Sequence, residues 1–280
     1  MKNSRKRELQ IIANHVRQGV IEGTFHAKSG HPGGSLSIAE VLTYLYFEQM
    51  NIDPANPKWE QRDRFVLSKG HCCPALYAVL AERGYFAKEE LQNLRHIGAL
   101  LQGHPDMKTI PGIDMSSGSL GQGISAACGM AVAAKLKKER WNVYCVLGDG
   151  EIEEGQVWEA AMFAKKQRLD NLVCVVDNND LQIDGRISDV SGLYPIDEKF
   201  KAFGWEVFYA DAHDFDNLEA AFSAASAVRG KPSVIVMKSI KGKGVSFMED
   251  VADWHGKAPN AAQYEQAMQE LKAELAVLEG

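Results

Sequence analysis

The sequence predicts an α/β protein with a doubly wound, mainly parallel sheet and helices on both faces. Two features of the pattern point there. From about residue 119, stretches with helical spacing alternate with short apolar runs of strand length. Those runs are continuous in apolar character, as strands buried on both faces are. Strand–helix–strand succession then implies right-handed crossovers onto a single parallel sheet.

Each element has its own signal. The first hundred residues read as helices joined by Gly/His/Pro loops, notably Ser29-Gly-His-Pro-Gly-Gly34 and Ser68-Lys-Gly-His71. Gly121 to Lys138 carries small and apolar residues at helical spacing. Asn142 to Leu147 is a buried strand ending at Gly-Asp-Gly, Gln156 to Lys166 a helix, and Leu172 to Val176 a second strand. Trp205 to Tyr209 and Ser233 to Met237 are two more strands, separated by the Ala-rich helical stretch Leu218 to Val228. Pro259 to Leu278 reads as a polar–apolar helical tail. No internal repeat, low-complexity tract or Pro/Ser-rich linker divides the chain, so residues 1–280 are expected to form a single domain with a helical N-terminal region.

Composition narrows the function. A net charge of -6 and a pI near 5.8 argue against nucleic-acid binding. The basic run Lys2, Arg5, Lys6, Arg7 is followed at once by Glu8 and reads as a solvated helix start. The cysteines number five, an odd count, and form no Cys-x-x-Cys pair, which suits buried free thiols in a reducing compartment rather than zinc. There is no apolar leader and no membrane-spanning stretch, and the expected location is the cytoplasm.

In such a sheet, ligands bind outside the carboxyl ends of the strands, which points to the loops after Leu147, Val176 and Met237. Gly148-Asp149-Gly150 stands at the first of these. Its glycines let a backbone approach a phosphate closely, and its Asp can ligate a hard cation, although the tripeptide alone is equally a turn. Residues 151–177 separate it from Asn178-Asn179, so one strand–helix–strand unit delivers a carboxylate and an amide to adjacent strand ends. Four of the eight histidines stand in Gly/Pro-flanked loops: His31 in Ser-Gly-His-Pro-Gly, His71 in Lys-Gly-His, His104 in Gly-His-Pro and His255 in Trp-His-Gly. A lone histidine of this kind is commonly structural; four together point to a site.

Gly-Asp-Gly followed at this interval by Asn-Asn resembles the diphosphate-binding motif of thiamine-diphosphate enzymes. The four histidine settings and Gly118-Ser-Leu-Gly-Gln-Gly123 resemble transketolase motifs in particular, over residues 15 to 260. The resemblance implies a thiamine-diphosphate-binding fold of the diphosphate-domain type. It implies Asp149, Asn179 and the carbonyl of Leu181 as ligands of Mg2+, for which Ca2+ or Mn2+ can substitute. Asn179 is preferred over Asn178 because transketolases place this ligand two residues after an Asp, here Asp177. Gly148 and Gly150 would meet the diphosphate, Gly150 through its N–H. His71 and His255 would approach it as charge-assisted donors. His31 and His104 would bind the donor sugar's hydroxyls and assist proton transfer, with His255 sharing that work, as groups titrating near neutral pH can. Gly118, Leu120 and Gly121 would form the floor under the cofactor. Glu154 aligns with a glutamate at the family's subunit interface; its plainer reading is an acid at a helix N-terminus.

The pattern departs mildly from the family: Gly-Ser-Leu follows Ser-Gly-His-Pro-Gly, and Ser119 stands where proline is frequent. The larger difference is length. The activating glutamate and most arginines that grip substrate phosphates belong to the pyrimidine-binding domain, which this sequence does not contain. The expectation is therefore a natural subunit of a split transketolase, with a fragment as the alternative. Its partner would carry the pyrimidine-binding and C-terminal domains, in an α2β2 assembly acting on small sugar phosphates. Other thiamine enzymes fit less well: deoxyxylulose-phosphate synthase lacks this histidine set, and 2-oxoacid dehydrogenase α subunits have different histidine motifs.

Overall fold

The computed structural model describes residues 1–280. Helices α1 (Asn3–Ala27), α2 (Pro32–Leu36) and α3 (Ala39–Tyr44) precede the first strand, β1 (Arg64–Leu67), and α4 (Cys73–Arg83) follows it. Then come α5 (Gln122–Lys137), β2 (Val143–Gly148), α6 (Gly155–Lys166) and β3 (Leu172–Asn178). A two-residue hairpin, β4 (Leu181–Gln182) and β5 (Gly185–Arg186), leads into α7 (Ile187–Val190) and α8 (Ile196–Ala202). The chain continues through β6 (Glu206–Asp211), α9 (Phe215–Ala227) and β7 (Ser233–Lys238), and closes on α10 (Ala261–Glu279).

The five long strands form one fully parallel sheet in the order β1-β2-β3-β7-β6. The chain steps from β1 to β3 in one direction, passes to the far edge at β6, and returns to β7 in the centre. Every residue of β2 is buried, as a central parallel strand requires. Alternate residues then serve opposite layers. Val143, Cys145 and Leu147 face the core under α5, α6 and α8. Tyr144 and Val146 face the larger core under α1, α3, α4 and α9. Helices thus cover both faces, as expected for the doubly wound class.

Two features depart from the sequence reading. The region read as helices and loops contains β1, whose Phe65, Val66 and Leu67 are too few to show a strand period; pairing with β2 creates the strand. The segment between β3 and β6 holds the hairpin, α7 and α8, which carry no strong local pattern. The C-terminal helix begins at Ala261, where Asn260 and Gln263 form a reciprocal capping box. All five cysteines are buried and free, and no helix is long and apolar enough to cross a membrane.

Candidate active site

Parallel pairing in register aligns the carboxyl ends of the strands, with Gly148 opposite Asp177 and Asp177 opposite Met237. At this rim lies a cavity of about 360 Å³. Lys69 and His71 reach it from the end of β1, Asp149 and Glu151 from β2, Asn179 and Leu181 from β3. Lys241 enters after β7, while His31, His104, Gly118, Leu120 and His255 close it from the loops. Gly148 and Gly150 also line it, so among the expected residues only Gly121 and Glu154 do not. A larger concavity of about 920 Å³ adjoins it and shares Asn179. Within it Arg186 pairs with Asp180 and Asp250, and Tyr194 with Asp180.

The metal corner is built by the turn after β3 wrapping the end of β2. Asp149 is 2% exposed and accepts only backbone N–H groups, from Gly150 at 2.9 Å and Asp180 at 2.6 Å. Asp180 adopts φ 63, which turns its N–H toward that carboxylate. Burial, and next the negative charge of Asp177, push the Asp149 carboxyl up to about 7. Asn179 spends its Nδ2 on Asp177 at 2.9 Å, which leaves Oδ1 as the free-facing acceptor; that oxygen takes the Leu181 N–H at 3.1 Å. The Leu181 carbonyl accepts from the Lys241 ammonium at 2.8 Å. One carboxylate, one amide oxygen and one carbonyl make an all-oxygen donor set that fits a hard divalent ion. The carbonyl already draws a cation, and the carboxylate lacks a matching one.

Three imidazoles form a triangle on the opposite wall. Ring centroids of His31 and His71 are 5.0 Å apart, His31 and His255 5.5 Å, and His71 and His255 5.2 Å. Burial, then Lys69, lowers His71 to about 2. Burial, then Lys241, lowers His255 to about 3. Burial, then Arg95, lowers His31 to about 4 and draws His104 down as well. The expected charge-assisted histidine donors are therefore neutral here, and all four imidazoles are drawn below their ordinary value. The positive charge belongs instead to two lysines that sequence reasoning passed over. Lys69 pairs with the fully buried Asp177 and donates to the Gly34 carbonyl at 2.9 Å. Lys241 contacts His255 Nδ1 at 3.0 Å, so that nitrogen is the acceptor and Nε2 carries the proton.

Glu151 is the other residue missed, although it follows Gly-Asp-Gly directly. Its carboxylate is 2% exposed and accepts from the Ser68 hydroxyl, Gly121 N–H and Gly148 N–H, the last two at 3.0 Å. It ties the ends of β1 and β2 to the glycine loop. A buried acid beside a glycine loop was the available signal. Gly121 therefore supports the cavity floor from behind: it has φ 78, and a Cβ there would meet Glu154 Cβ at 2.9 Å. Glu154 is exposed outside the cavity, at the N-cap position of α6, and makes no side-chain capping bond.

Residues 9–276 match the family described as "Transketolase, thiamine diphosphate binding domain". The chain is 48% identical over 267 residues to a 6-deoxy-6-sulfo-D-fructose transketolase subunit, SqwG, of Clostridium sp. (strain MSTE9), covering 95% of this chain and 97% of that one. It is 41% identical over 271 residues to one of the subunits of the apulose-4-phosphate transketolase of Phocaeicola vulgatus, covering 97% and 96% respectively. Human transketolase is 42% identical over 271 residues, but the aligned part is 95% of this chain and only 42% of the human one. Among solved structures, a transketolase from Pichia stipitis superposes with a TM-score of 0.89 at 29% identity, over 98% of this chain and 44% of that one.

Proposed function

Because this chain belongs to the transketolase family, matching its thiamine-diphosphate-binding domain, we propose that it is the diphosphate-binding subunit of a two-subunit transketolase. In this reading, residues 1–280 act as one domain of a cytoplasmic enzyme that moves a two-carbon ketol unit from a ketose to an aldose. Relatives named as subunits, and the 42% share of human transketolase that it spans, imply a partner chain carrying the remaining domains. The observation that carries the proposal is the single cavity that unites the all-oxygen corner of Asp149, Asn179 and Leu181 with the histidine loops. An α2β2 assembly follows as the simplest closed arrangement of two such chains and two partners. Glu154, exposed behind the glycine loop, would meet the partner in this reading.

When bound, thiamine diphosphate supplies the electron sink that lets a carbon–carbon bond of the ketose break and a new one form to the carbonyl carbon of the aldose. This chain's residues hold it and manage protons around it. Asp149, Asn179 Oδ1 and the Leu181 carbonyl would hold Mg2+, and the Gly150 N–H and His71 would face the diphosphate. The Lys241 ammonium, poised on Leu181 and His255, adds the positive charge that the neutral histidines lack. His31 and His104, neutral and on the cavity wall, would accept and return hydroxyl protons of the sugar, assisted by His255.

The two subunit relatives are named for ketoses that end in a sulfonate and a phosphate. We therefore assign the donor as a ketose with an anionic terminal group. Co-expression with the complementing subunit, followed by assay on xylulose 5-phosphate and 6-deoxy-6-sulfofructose, tests both levels. Turnover of either ketose by the pair, and by neither chain alone, is expected. With fructose and erythrulose added as neutral ketoses, turnover of those only would overturn the substrate class, and turnover of none of the four the reaction.

A further inference from the structure

We propose that Arg95 is the positioning residue of the two substrate-facing histidines, bracing the loop of His31 against the loop of His104. The inference rests on the roles proposed above for those histidines. It goes beyond them because Arg95 makes no hydrogen bond to either ring. Its Nη1 donates to Ser29 Oγ at 2.8 Å, two residues before His31. Its Nη2 donates to the Gly103 carbonyl at 3.1 Å, one residue before His104. A single planar group with donors in a rigid fork thus spans both loops, which a lysine's single point of charge cannot do.

The local backbone is shaped for this. Arg95 has φ 63, in the left-handed region that costs a branched or long residue conformational energy. The Arg95 N–H donating to the Leu101 carbonyl at 2.8 Å holds it there. Gly103 packs closely beside it: a Cβ at that position would lie 3.2 Å from Arg95 Nε and 3.4 Å from Cζ, so any larger residue would push on the guanidinium. The other side-chain bonds to the carbonyls of Gln102, Gly103 and His104 come from α4. Tyr77 Oη lies 2.9 Å from the carbonyls of both Gln102 and His104, and Cys73 Sγ lies 3.2 Å from that of Gly103. The Ser35 hydroxyl, which donates to the His31 carbonyl at 2.7 Å, belongs to the His31 segment itself. The guanidinium is the hydrogen-bonded link between the two loops.

Two further observations agree. Among the five buried side-chain polar atoms without a partner, His31 Nδ1 and Arg95 Nε both fall in this cluster, and of the two residues only His31 lines the cavity. The charged and titratable groups facing His31 are Arg95, His104 and Lys241, with the His71 and His255 rings meeting it edge-on; Arg95 faces His104. No acid faces either ring, so the guanidinium favours the neutral imidazoles that proton acceptance requires.

The test compares Arg95→Met, Arg95→Lys and Ser29→Ala in the co-expressed complex. Arg95→Met should lower kcat by about 10²-fold, the scale of a misplaced catalytic group, while thiamine diphosphate affinity changes less than about twofold. The acid limb of its kcat/KM profile should move to higher pH. Arg95→Lys should restore the pH profile but not the rate, and Ser29→Ala should show a smaller loss of kcat with the profile unchanged. Histidine NMR titration of the chain gives a readout without turnover, with the His31 and His104 signals titrating higher in Arg95→Met and near wild type in Arg95→Lys. An inactive complex with those shifts present counts against the transfer reaction and leaves the clamp standing. Unchanged titrations and unchanged kcat in Arg95→Met overturn the clamp.

Discussion

Two buried aspartates stand on adjacent strand ends, Asp149 lining the cavity and Asp177 behind it, and their surroundings are opposite. Asp177 is 0% exposed and fully answered: it pairs with Lys69 and accepts from Ser37, Ser239 and the Asn179 amide. Despite its burial, Lys69 and these donors hold its carboxyl below the usual range. Asp149 is 2% exposed and receives only two backbone N–H groups. Its carboxyl is pushed up to about 7, by burial first and by Asp177 second. The difference separates structure from function. One acid is neutralised from within the chain, while the other is kept short of positive charge where an all-oxygen donor set can supply a cation's remaining contacts.

The sharpest way to break that comparison is to remove each acid. Asp149→Ala is expected to abolish magnesium-dependent thiamine diphosphate binding by the complex, measured by calorimetry, while the free chain stays folded by circular dichroism. Wild-type affinity in this variant would place the metal elsewhere. Asp177→Ala should act on the fold instead. It strands the Lys69 ammonium in the interior, and breaking a buried pair costs about 3–5 kcal/mol. Denaturant unfolding of the free chain should show that loss. Asp177→Ala should also weaken cofactor binding, because Asn179 loses the acceptor that turns its oxygen toward the metal corner. Equal stability losses in the two variants would erase the distinction drawn here.

His104→Ala sharpens the comparison from the substrate side. A lost proton-transfer group costs about 10²–10⁴ in rate. The expected result is a fall of that order in kcat/KM for the donor, with cofactor affinity little changed. If affinity falls in parallel, His104 belongs with the diphosphate wall.

The same contrast explains what the sequence could and could not disclose. Gly148-Asp149-Gly150, Asn179 and the four loop histidines were readable because each is a rare residue type in a distinctive local setting. The central strands were readable because both their faces are buried and their apolar runs unbroken. Lys69, Lys241, Glu151 and Asp177 were not. Their importance lies in burial and in partners far away in the sequence, such as His255 for Lys241, 14 positions on, and Asp177 for Lys69, 108 positions on. Sequence pattern assigns Lys and Glu to the surface by default. The charge state of the histidines was hidden for the same reason, since it depends first on burial and then on Lys69, Lys241 and Arg95, whose placement the fold decides. β1 escaped because it is a four-residue edge strand defined by its pairing with β2.

The smallest effect expected comes from the histidine triangle. In the unfolded chain each imidazole titrates near its ordinary 6.5, whereas in the fold His71 is lowered to about 2, His255 to about 3 and His31 to about 4. Between those values the unfolded state binds more protons than the native one. Stability is therefore fully present above pH 6.5 and declines as pH falls toward the folded values. The free chain should lose melting temperature steadily from pH 7 to pH 4. Replacing His71, whose lowering is the deepest, with glutamine should flatten part of that slope without removing a polar side chain from the cavity. The residual slope should be the balance of His31, His255 and His104, all shifted downward, against Asp149, whose carboxyl, raised to about 7, contributes the opposite slope over the same window. Melting curves of wild type and His71→Gln across that range, taken without metal or cofactor, make the measurement. Identical slopes would mean that the imidazoles are solvated in the free chain, and that the neutral wall forms only when cofactor and partner close the site.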